Sequence, residues 1–261
     1  MATATIQSAP RSDNATLGAE QAVFTTSSSV HAAIFFVAVG CLIGYRVGSV
    51  SGWTLRGVVS LGAYLIAAPL CVRWLRASRL SCYDKGLVNH AITGSTTVPW
   101  DDVESIRLSV LQRRMGVGYT ATSHLITLTT GDGGRLKLGD RFDDPFAIWT
   151  YLITATGAGL LARAERDFAA SNTVDFGFAT LGRETGLVLM PLCQSPVTIP
   201  LENLTDYDVK GGDVRFWRKG LARQIAIPID CVPNVFVLLN MLDARTSNAR
   251  ATLLTLPEVF V

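Results

Sequence analysis

The sequence predicts a mainly β protein of the α+β class, in which an N-terminal transmembrane helical hairpin precedes two similar β modules that each end in a helix. The mean hydropathy of +0.32 and the charged fraction of 17% set it apart from ordinary soluble proteins of 261 residues. The apolar excess lies in two uncharged runs near the N-terminus. Beyond residue 79, short β-type runs alternate with turn residues, and this pattern occurs twice.

Residues 1–26 come before the first apolar run and are rich in Ala, Ser and Thr. They lack the charged leader of a secretory signal, and the apolar run that follows starts too late and is followed by a second one. We therefore expect a disordered tail here, and the alternative is an organellar transit peptide, which Asp13 and Glu20 disfavour.

The uncharged runs 30–45 and 57–72 predict a transmembrane hairpin in 27–78, with helices at about 29–50 and 55–76. Each run is slightly short for a bilayer, but flanking Ser, Arg and Trp residues extend it. The alternative is that both runs are buried helices of a soluble domain, because runs of this size also serve there.

Three glycines at a spacing of four predict a face along which the first membrane helix packs closely, either on the second helix or on another copy of the chain. They are Gly40, Gly44 and Gly48. The alternative is that glycine is simply frequent in membrane helices.

Basic residues near the two spans predict their orientation. Four follow the second span and two lie in the loop between the spans, so both termini are expected on the cytoplasmic side. The six are Arg73, Arg76, Arg79 and Lys85, against Arg46 and Arg56.

The repeat is clearest in two short stretches, "VPWDDV" at 98–103 and "IPLENL" at 199–204. A Gly-Leu-Val triplet stands at nearly the same distance before each of them. We interpret the prolines as strand ends or bulges and the acids after them as corner residues that accept backbone N–H groups. The predicted modules are 79–170 and 171–248, each with about seven strands and a closing helix, followed by a C-terminal tail at 249–261.

The order of a polar turn, Gly-Leu-Val, an apolar-Pro-Trp-Asp-Asp-Val stretch, a hairpin and a closing helix resembles the bacterial pleckstrin-homology-like (PH-like) domain. It is similar in particular to uncharacterised membrane-anchored families with two transmembrane helices and tandem PH-like repeats. The second copy has Leu201 where the first has Trp100, which departs from that pattern. The resemblance implies two orthogonal antiparallel sheets capped by a helix, and a location in a bacterial inner membrane.

The chain contains few residues in patterns typical of catalysis or metal binding. The three histidines are not spaced for catalysis or metal binding, and the five cysteines form no CxxC pair. No nucleophile elbow or phosphate-binding loop occurs. We therefore predict no catalytic residue, no metal site and no cofactor, and we do not expect an enzyme.

Two basic groups are candidates for binding anionic lipid or a protein partner. They are Arg113 and Arg114, which we predict to lie in a loop, and the set Arg215, Phe216, Trp217, Arg218, Lys219 and Arg223. The alternative is that Phe216 and Trp217 occupy a strand, one pointing inward and one outward, beside ordinary solvated bases. Nucleic acid is not expected, because a net charge of +2 is too small.

Three functional hypotheses follow. The first is a non-enzymatic, membrane-anchored scaffold that binds a protein, another copy of itself or lipid head groups. The second is an accessory subunit of a membrane enzyme or transporter, with a site between the modules. The third is a purely structural role in which the glycine face drives oligomerisation. For the second, the acid-rich candidates are Asp101, Asp102, Asp143 and Asp144.

Overall fold

A computed structural model describes residues 17–25, 39–40, 79–91, 94–115, 119–139, 142, 144–220 and 223–246. The predicted hairpin at 27–78 lies outside these residues except for 39–40, and the C-terminal tail lies outside them entirely. Of the three glycines at a spacing of four, only Gly40 is described.

The chain divides into two compact units. The first contains 1–98 and 141–143, and the second contains 99–140 and 144–261. The predicted boundary near residue 170 does not coincide with this division, because the sheet and helix that precede it pack with the second half of the chain.

The first unit contains one four-stranded sheet whose strands follow chain order. These strands are β1 (Glu20–Thr25), β2 (Arg79–Tyr83), β3 (Gly86–Ala91) and β4 (Gly94–Pro99). The whole of segment 26–78 connects β1 to β2, and these two strands are antiparallel neighbours with Thr25 opposite Arg79.

Within the predicted disordered tail 1–26, residues Glu20–Thr25 instead form strand β1. The carboxylate of Asp84 at the β2–β3 turn accepts the Ala19 N–H at 3.1 Å and the Gln21 side-chain amide at 2.5 Å. Leu17 is buried against Tyr83 and Val88. The strand is therefore held by specific contacts at its N-terminal end as well as by its ladder with β2.

The second unit begins with a three-stranded sheet and a long helix. The strands are β5 (Val103–Met115), β6 (Tyr119–Thr130) and β7 (Arg135–Gly139), and the helix is α1 (Pro145–Ser171). A four-stranded sheet follows, made of β8 (Thr173–Asp175), β9 (Ala179–Gly182), β10 (Gly186–Leu189) and β11 (Val197–Ile199). The last elements are a three-stranded sheet and a short helix, namely β12 (Leu204–Lys210), β13 (Asp213–Arg218), β14 (Ile225–Pro228) and α2 (Val235–Asp243).

The same element order thus occurs twice: four sequential strands, three sequential strands and a helix. We call β1 to α1 the first half and β8 to α2 the second half. The prediction of a mainly β chain of the α+β class is confirmed.

Helix α1 is positioned by its cap and by a buried stripe. Asp144 accepts the Ala147 N–H at 2.8 Å, and Pro145 occupies the first turn. The indole of Trp149 meets the ring of Phe236 in α2 edge to face, with 6.2 Å between the ring centroids. Among the described residues, α1 is the one helix whose length and composition would allow it to cross a membrane. Its buried stripe explains much of that apolar composition, because a core helix needs one.

The two echoed stretches are corners between sheets. Pro99 ends β4 and Pro200 follows β11, and each is succeeded by a single turn of 3-10 helix, Trp100–Asp102 or Leu201–Asn203. The prediction that these prolines mark strand ends is confirmed. Pro228 precedes a third such turn, which leads from β14 towards α2. The corners recur because the fixed φ of proline suits the extended residue before a tight turn.

Candidate functional site

The predicted basic and aromatic set lies mainly on strand β13, where alternate side chains face opposite sides of the sheet. Phe216 is fully buried with Val214, whereas Trp217 is only half-buried. Phe216 was therefore wrong as a lipid contact, and the alternative of one side chain inward and one outward is confirmed for this pair.

Acidic residues lie across from the outward residues of β13. Asp208 of β12 is the register partner of Arg215, and Asp206 is the register partner of Trp217. Arg215 also donates from Nη2 to the Lys210 carbonyl at 3.2 Å. Opposite charges on facing strands neutralise one another, so this face does not present a basic surface.

Three bases remain around the turn between β13 and β14. Lys219 and Arg223 are exposed, and Arg218 is half-buried. The Lys219 N–H donates to the Asn203 carbonyl at 2.8 Å, which ties this turn to the second proline corner. We call Arg218, Lys219 and Arg223 the tip group.

Arg113 and Arg114 lie within β5, in register with Ala121 and Thr120 of β6, and not in a loop as predicted. Strand β7 pairs only with residues 125–129 of β6. Segments 110–115 and 119–124 therefore continue as a two-stranded ribbon past the end of β7. We call these paired segments the basic ribbon.

Three of the four acid-rich candidates for a catalytic site are described, at positions 101, 102 and 144. Asp101 and Asp102 are exposed, and their backbone carbonyls accept from Arg163 at 3.3 Å and from the Gly131 N–H at 2.9 Å. Asp144 caps α1, and Asp143 lies outside the described residues. Within the part of the chain that the structure describes, no group of three or more His, Cys, Asp or Glu residues is placed to hold a metal ion.

Two of the cysteines are protected thiols. Burial, and secondarily the charge of Glu20, raises the pKa of Cys82 from 9.0 to about 12. Burial, followed by the nearby Asp230 carboxylate, also raises the pKa of Cys231. Neither thiol suits nucleophilic chemistry, which requires a thiolate near neutral pH. Cys193 is exposed.

An ion pair that the sequence did not suggest joins the ends of the two helices. Arg245 contacts both carboxylate oxygens of Glu165, at 3.1 and 2.6 Å, and its guanidinium lies 4.5 Å from the centre of the Phe168 ring. Arg183 approaches the same ring at 5.6 Å. Because Glu165 and Arg245 are far apart in the chain, no local pattern connects them. These contacts hold Arg245, a residue that follows α2, against α1, which is a structural role.

Comparison with protein families identifies one that matches residues 1–251, the DUF6585 family, whose function is unknown. The chain belongs to the DUF6585 family. This match includes both halves and segment 26–78, so DUF6585 describes the whole element order and not one half of it. No curated protein matches the chain. In this DUF6585 member, Arg113 and Arg114 of β5 are in register with Ala121 and Thr120 of β6, and the tip group lies at the β13–β14 turn.

Proposed function

We propose that this protein is a non-enzymatic membrane-anchored adaptor. A helical hairpin within 27–78 holds two PH-like modules at the cytoplasmic membrane face, where they bind a protein partner or anionic lipid head groups. The observation that carries the proposal is the pairing of Thr25 with Arg79.

Paired residues on antiparallel strands have Cα atoms about 5 Å apart. Segment 26–78 therefore leaves the sheet and returns to it at the same place. A connection of this kind crosses a bilayer an even number of times or not at all. The two uncharged runs at 30–45 and 57–72 supply the two spans, so that a membrane anchor takes the place of the short turn of an ordinary hairpin.

The PH-like assignment is supported by the element order. Each half has four sequential strands, three sequential strands and a terminal helix, with a proline corner between its two sheets. The resemblance to PH-like domains implies two antiparallel sheets followed by a capping helix, and this element order supports it. Strands β3 and β10 each begin with the Gly-Leu-Val triplet. The leucines of the two triplets, Leu87 and Leu187, are fully buried.

The non-enzymatic assignment is supported by the character of the titratable groups. The acids at 101 and 102 are exposed, and the thiols of Cys82 and Cys231 are held neutral by burial. An active site normally concentrates ionisable groups whose pKa values are shifted towards neutrality.

The test is alkaline carbonate extraction of membranes that contain the full chain with a tag at each end. We expect the chain to stay in the membrane pellet and both tags to be digested by protease from the same side. A matched variant with Phe36→Arg and Leu65→Arg, one charge in each run, is expected to leave the pellet. A wild-type chain that is released by carbonate, or tags on opposite sides, would overturn the proposal.

Protein binding has a separate test. Affinity purification of the detergent-extracted full chain, followed by mass spectrometry, should recover the same partner from wild type and from a variant of the anchor glycines such as Gly44→Leu. A partner lost only with the anchor variant would assign binding to the membrane helices and contradict a role for the modules.

A further inference from the structure

The connection between β10 and β11, residues 190–196, carries two large apolar side chains that are open to solvent. Met190 is 41% exposed and Leu192 is 53% exposed, and no other large hydrophobic side chain that the structure describes is exposed to this extent. Apolar residues scattered singly over a surface are normal, whereas these two lie two positions apart in one connection. We call residues 190–196 the apolar loop.

The apolar loop has a defined, hydrogen-bonded conformation. The Met190 N–H donates to the Phe178 carbonyl at 2.9 Å, which fixes the point where the loop leaves β10. The Gln194 N–H donates to the Pro191 carbonyl at 3.3 Å, which closes a β-turn with Leu192 at its first central position. The exposure of Leu192 is therefore a property of a bonded turn.

The first half shows that the sheet does not need a loop of this length. The corresponding connection, between β3 and β4, consists of residues 92–93 alone, whereas the apolar loop has seven residues. In both halves the two strands are neighbours in a four-stranded sheet. Because a connection of two residues is sufficient there, the longer one is free to serve another purpose, as surface loops on a rigid scaffold commonly do.

The apolar loop lies within a long uncharged stretch of the second half. From residue 185 to residue 201 the chain contains no Asp, Glu, Lys, Arg or His. Moving a charged side chain out of water is costly, and this loop can leave water without doing so. Its composition therefore suits an apolar surface.

The size of the exposed area favours a bilayer over a protein as that surface. A stable interface between proteins buries about 800 Å² on each partner, and two partly exposed side chains do not supply that area. A bilayer needs less, because an anchored chain is held at a high effective concentration of lipid. Transfer of Met190 and Leu192 from water to an apolar medium is favourable in itself.

We propose that the apolar loop inserts Met190 and Leu192 into the interfacial region of the bilayer in which the chain is anchored. The proposal rests on the membrane anchoring proposed above, and it names the part of the second half that contacts lipid. The contact is apolar, so it does not require anionic head groups.

The experiment places a fluorescent bimane probe on Cys193, which is exposed and adjoins Leu192. It uses the full chain in nanodiscs of phosphatidylcholine, and Cys82 is retained because it is fully buried. Three other cysteines are replaced so that the probe enters at one position, by Cys41→Ala, Cys71→Ala and Cys231→Ala. We expect the probe to be quenched by lipids that carry a nitroxide near the head group and to be shielded from iodide in the water.

Two matched variants with the same probe test the role of the apolar side chain. In Leu192→Asp the quenched fraction is expected to fall by about tenfold or more, because burial of a large apolar side chain is worth at least that factor. Thr185→Asp adds the same charge at an exposed position at the other end of β10 and is expected to keep the quenching. Thermal unfolding checks that both variants remain folded. Equal loss of quenching in both would show a general charge effect and overturn the assignment to Leu192.

Salt and lipid charge distinguish an apolar contact from an electrostatic one. At about 1 M salt the screening length falls to about 3 Å, and the quenching in neutral discs should be unchanged. Quenching that requires phosphatidylserine and disappears in salt would assign the contact to basic residues such as the tip group, and it would overturn insertion of the apolar loop.

Other outcomes separate this proposal from the anchoring on which it rests. A probe that iodide reaches and lipid does not quench, in a chain that resists carbonate, would overturn loop insertion and leave the anchor intact. A probe that is shielded from iodide but not quenched by lipid would assign the loop to a protein surface and would also overturn insertion. Release of the chain by carbonate would overturn the proposed function itself.

Discussion

Asn234 exchanges two hydrogen bonds with Ile106, each at 2.8 Å. Its backbone N–H donates to the Ile106 carbonyl, and its side-chain Oδ1 accepts the Ile106 N–H. A third bond runs from Nδ2 to the Glu104 carbonyl at 3.2 Å. One residue of the second half thus bonds to the edge of β5 as a partner strand would, and it does so from a left-handed conformation with φ of 52°.

The first prediction concerns this residue. Asn234→Gly keeps the backbone conformation and removes both side-chain bonds, so the free energy of unfolding should fall by about 1–3 kcal/mol. Asn234→Ala should cost about 1 kcal/mol more, because alanine is strained at positive φ. Denaturant unfolding of the full chain measures both changes, and hydrogen exchange at Ile106 should accelerate. Unchanged exchange at Ile106 in the glycine variant would contradict the edge role.

The second prediction concerns the attachment of β1. Asp84→Ala removes the acceptor for the Ala19 N–H and the Gln21 amide, so amides of 20–25 should exchange faster while those of β9 and β10 do not change. Asp84→Asn retains an oxygen acceptor and should have a smaller effect. If the two variants release β1 equally, the negative charge and not the hydrogen-bonding geometry holds the strand.

The third prediction separates two reasons why a position requires glycine, namely a positive φ and a lack of room for a Cβ atom. Gly186 and Gly220 both have positive φ, 77° and 81°, but a Cβ at Gly186 would clash with the Ile199 carbonyl and lie 2.8 Å from the Pro200 Cα, whereas a Cβ at Gly220 meets open space. Gly220→Ala should cost about 1 kcal/mol, the strain alone. Gly186→Ala should cost at least about 3 kcal/mol, because backbone must move. Similar losses in unfolding measurements would show that the β10 turn relaxes easily.

The fourth prediction is a pH dependence at the β6–β7 turn. The Thr130 hydroxyl donates to Asp132 Oδ1 at 2.5 Å and the Gly134 N–H donates to the same oxygen at 3.0 Å, and these bonds lower the pKa of Asp132 below 3.8. A lowered pKa stabilises the fold above the ordinary carboxyl pKa, and this contribution is lost as the pH falls through the lowered value. Asp132→Asn should therefore be less stable than wild type near neutral pH and should approach it in acid. A constant difference between the two unfolding curves down to acid pH would contradict the assignment.

The fifth prediction uses the thiols. Maleimide labelling of the folded chain should modify Cys193 and spare Cys82, which is fully buried and has a pKa of about 12. Cysteine-to-serine variants at each position identify the labelled site by mass. Because the unfolded thiol ionises near 9.0, ionisation of Cys82 favours the unfolded chain as pH rises above that value, and labelling of Cys82 should appear only under those conditions or in denaturant.

The repeat could be predicted from sequence because its markers act locally. Proline at a corner and glycine at positive φ are selected by the backbone around them, so Pro200 and Gly186 are visible in the chain itself. Strand β1 could not be predicted, because its partner β2 follows only after segment 26–78. Six residues among Ser and Thr carry too little pattern to indicate a strand whose ladder is so distant.

The candidate residues were predicted unevenly for similar reasons. Alternation along β13 fixes that Phe216 and Trp217 point to opposite sides, but only the packed sheet decides which one is buried. Arg113 and Arg114 stand near glycines, which predict a loop, whereas cross-strand pairing with β6 extends the ladder through them. Asn234 directly precedes α2, and its bonds to β5 depend on a contact between residues far apart in the chain, so no local pattern predicts them.

Placing segment 26–78 between two paired strands also constrains the order of assembly during synthesis. The second half needs only pairings between strands that are close in the chain, so it can close as soon as it is made. In the first half, β1 cannot pair with β2 until segment 26–78 has been synthesised, so this ladder closes over a far longer connection than any strand pairing described in the second half.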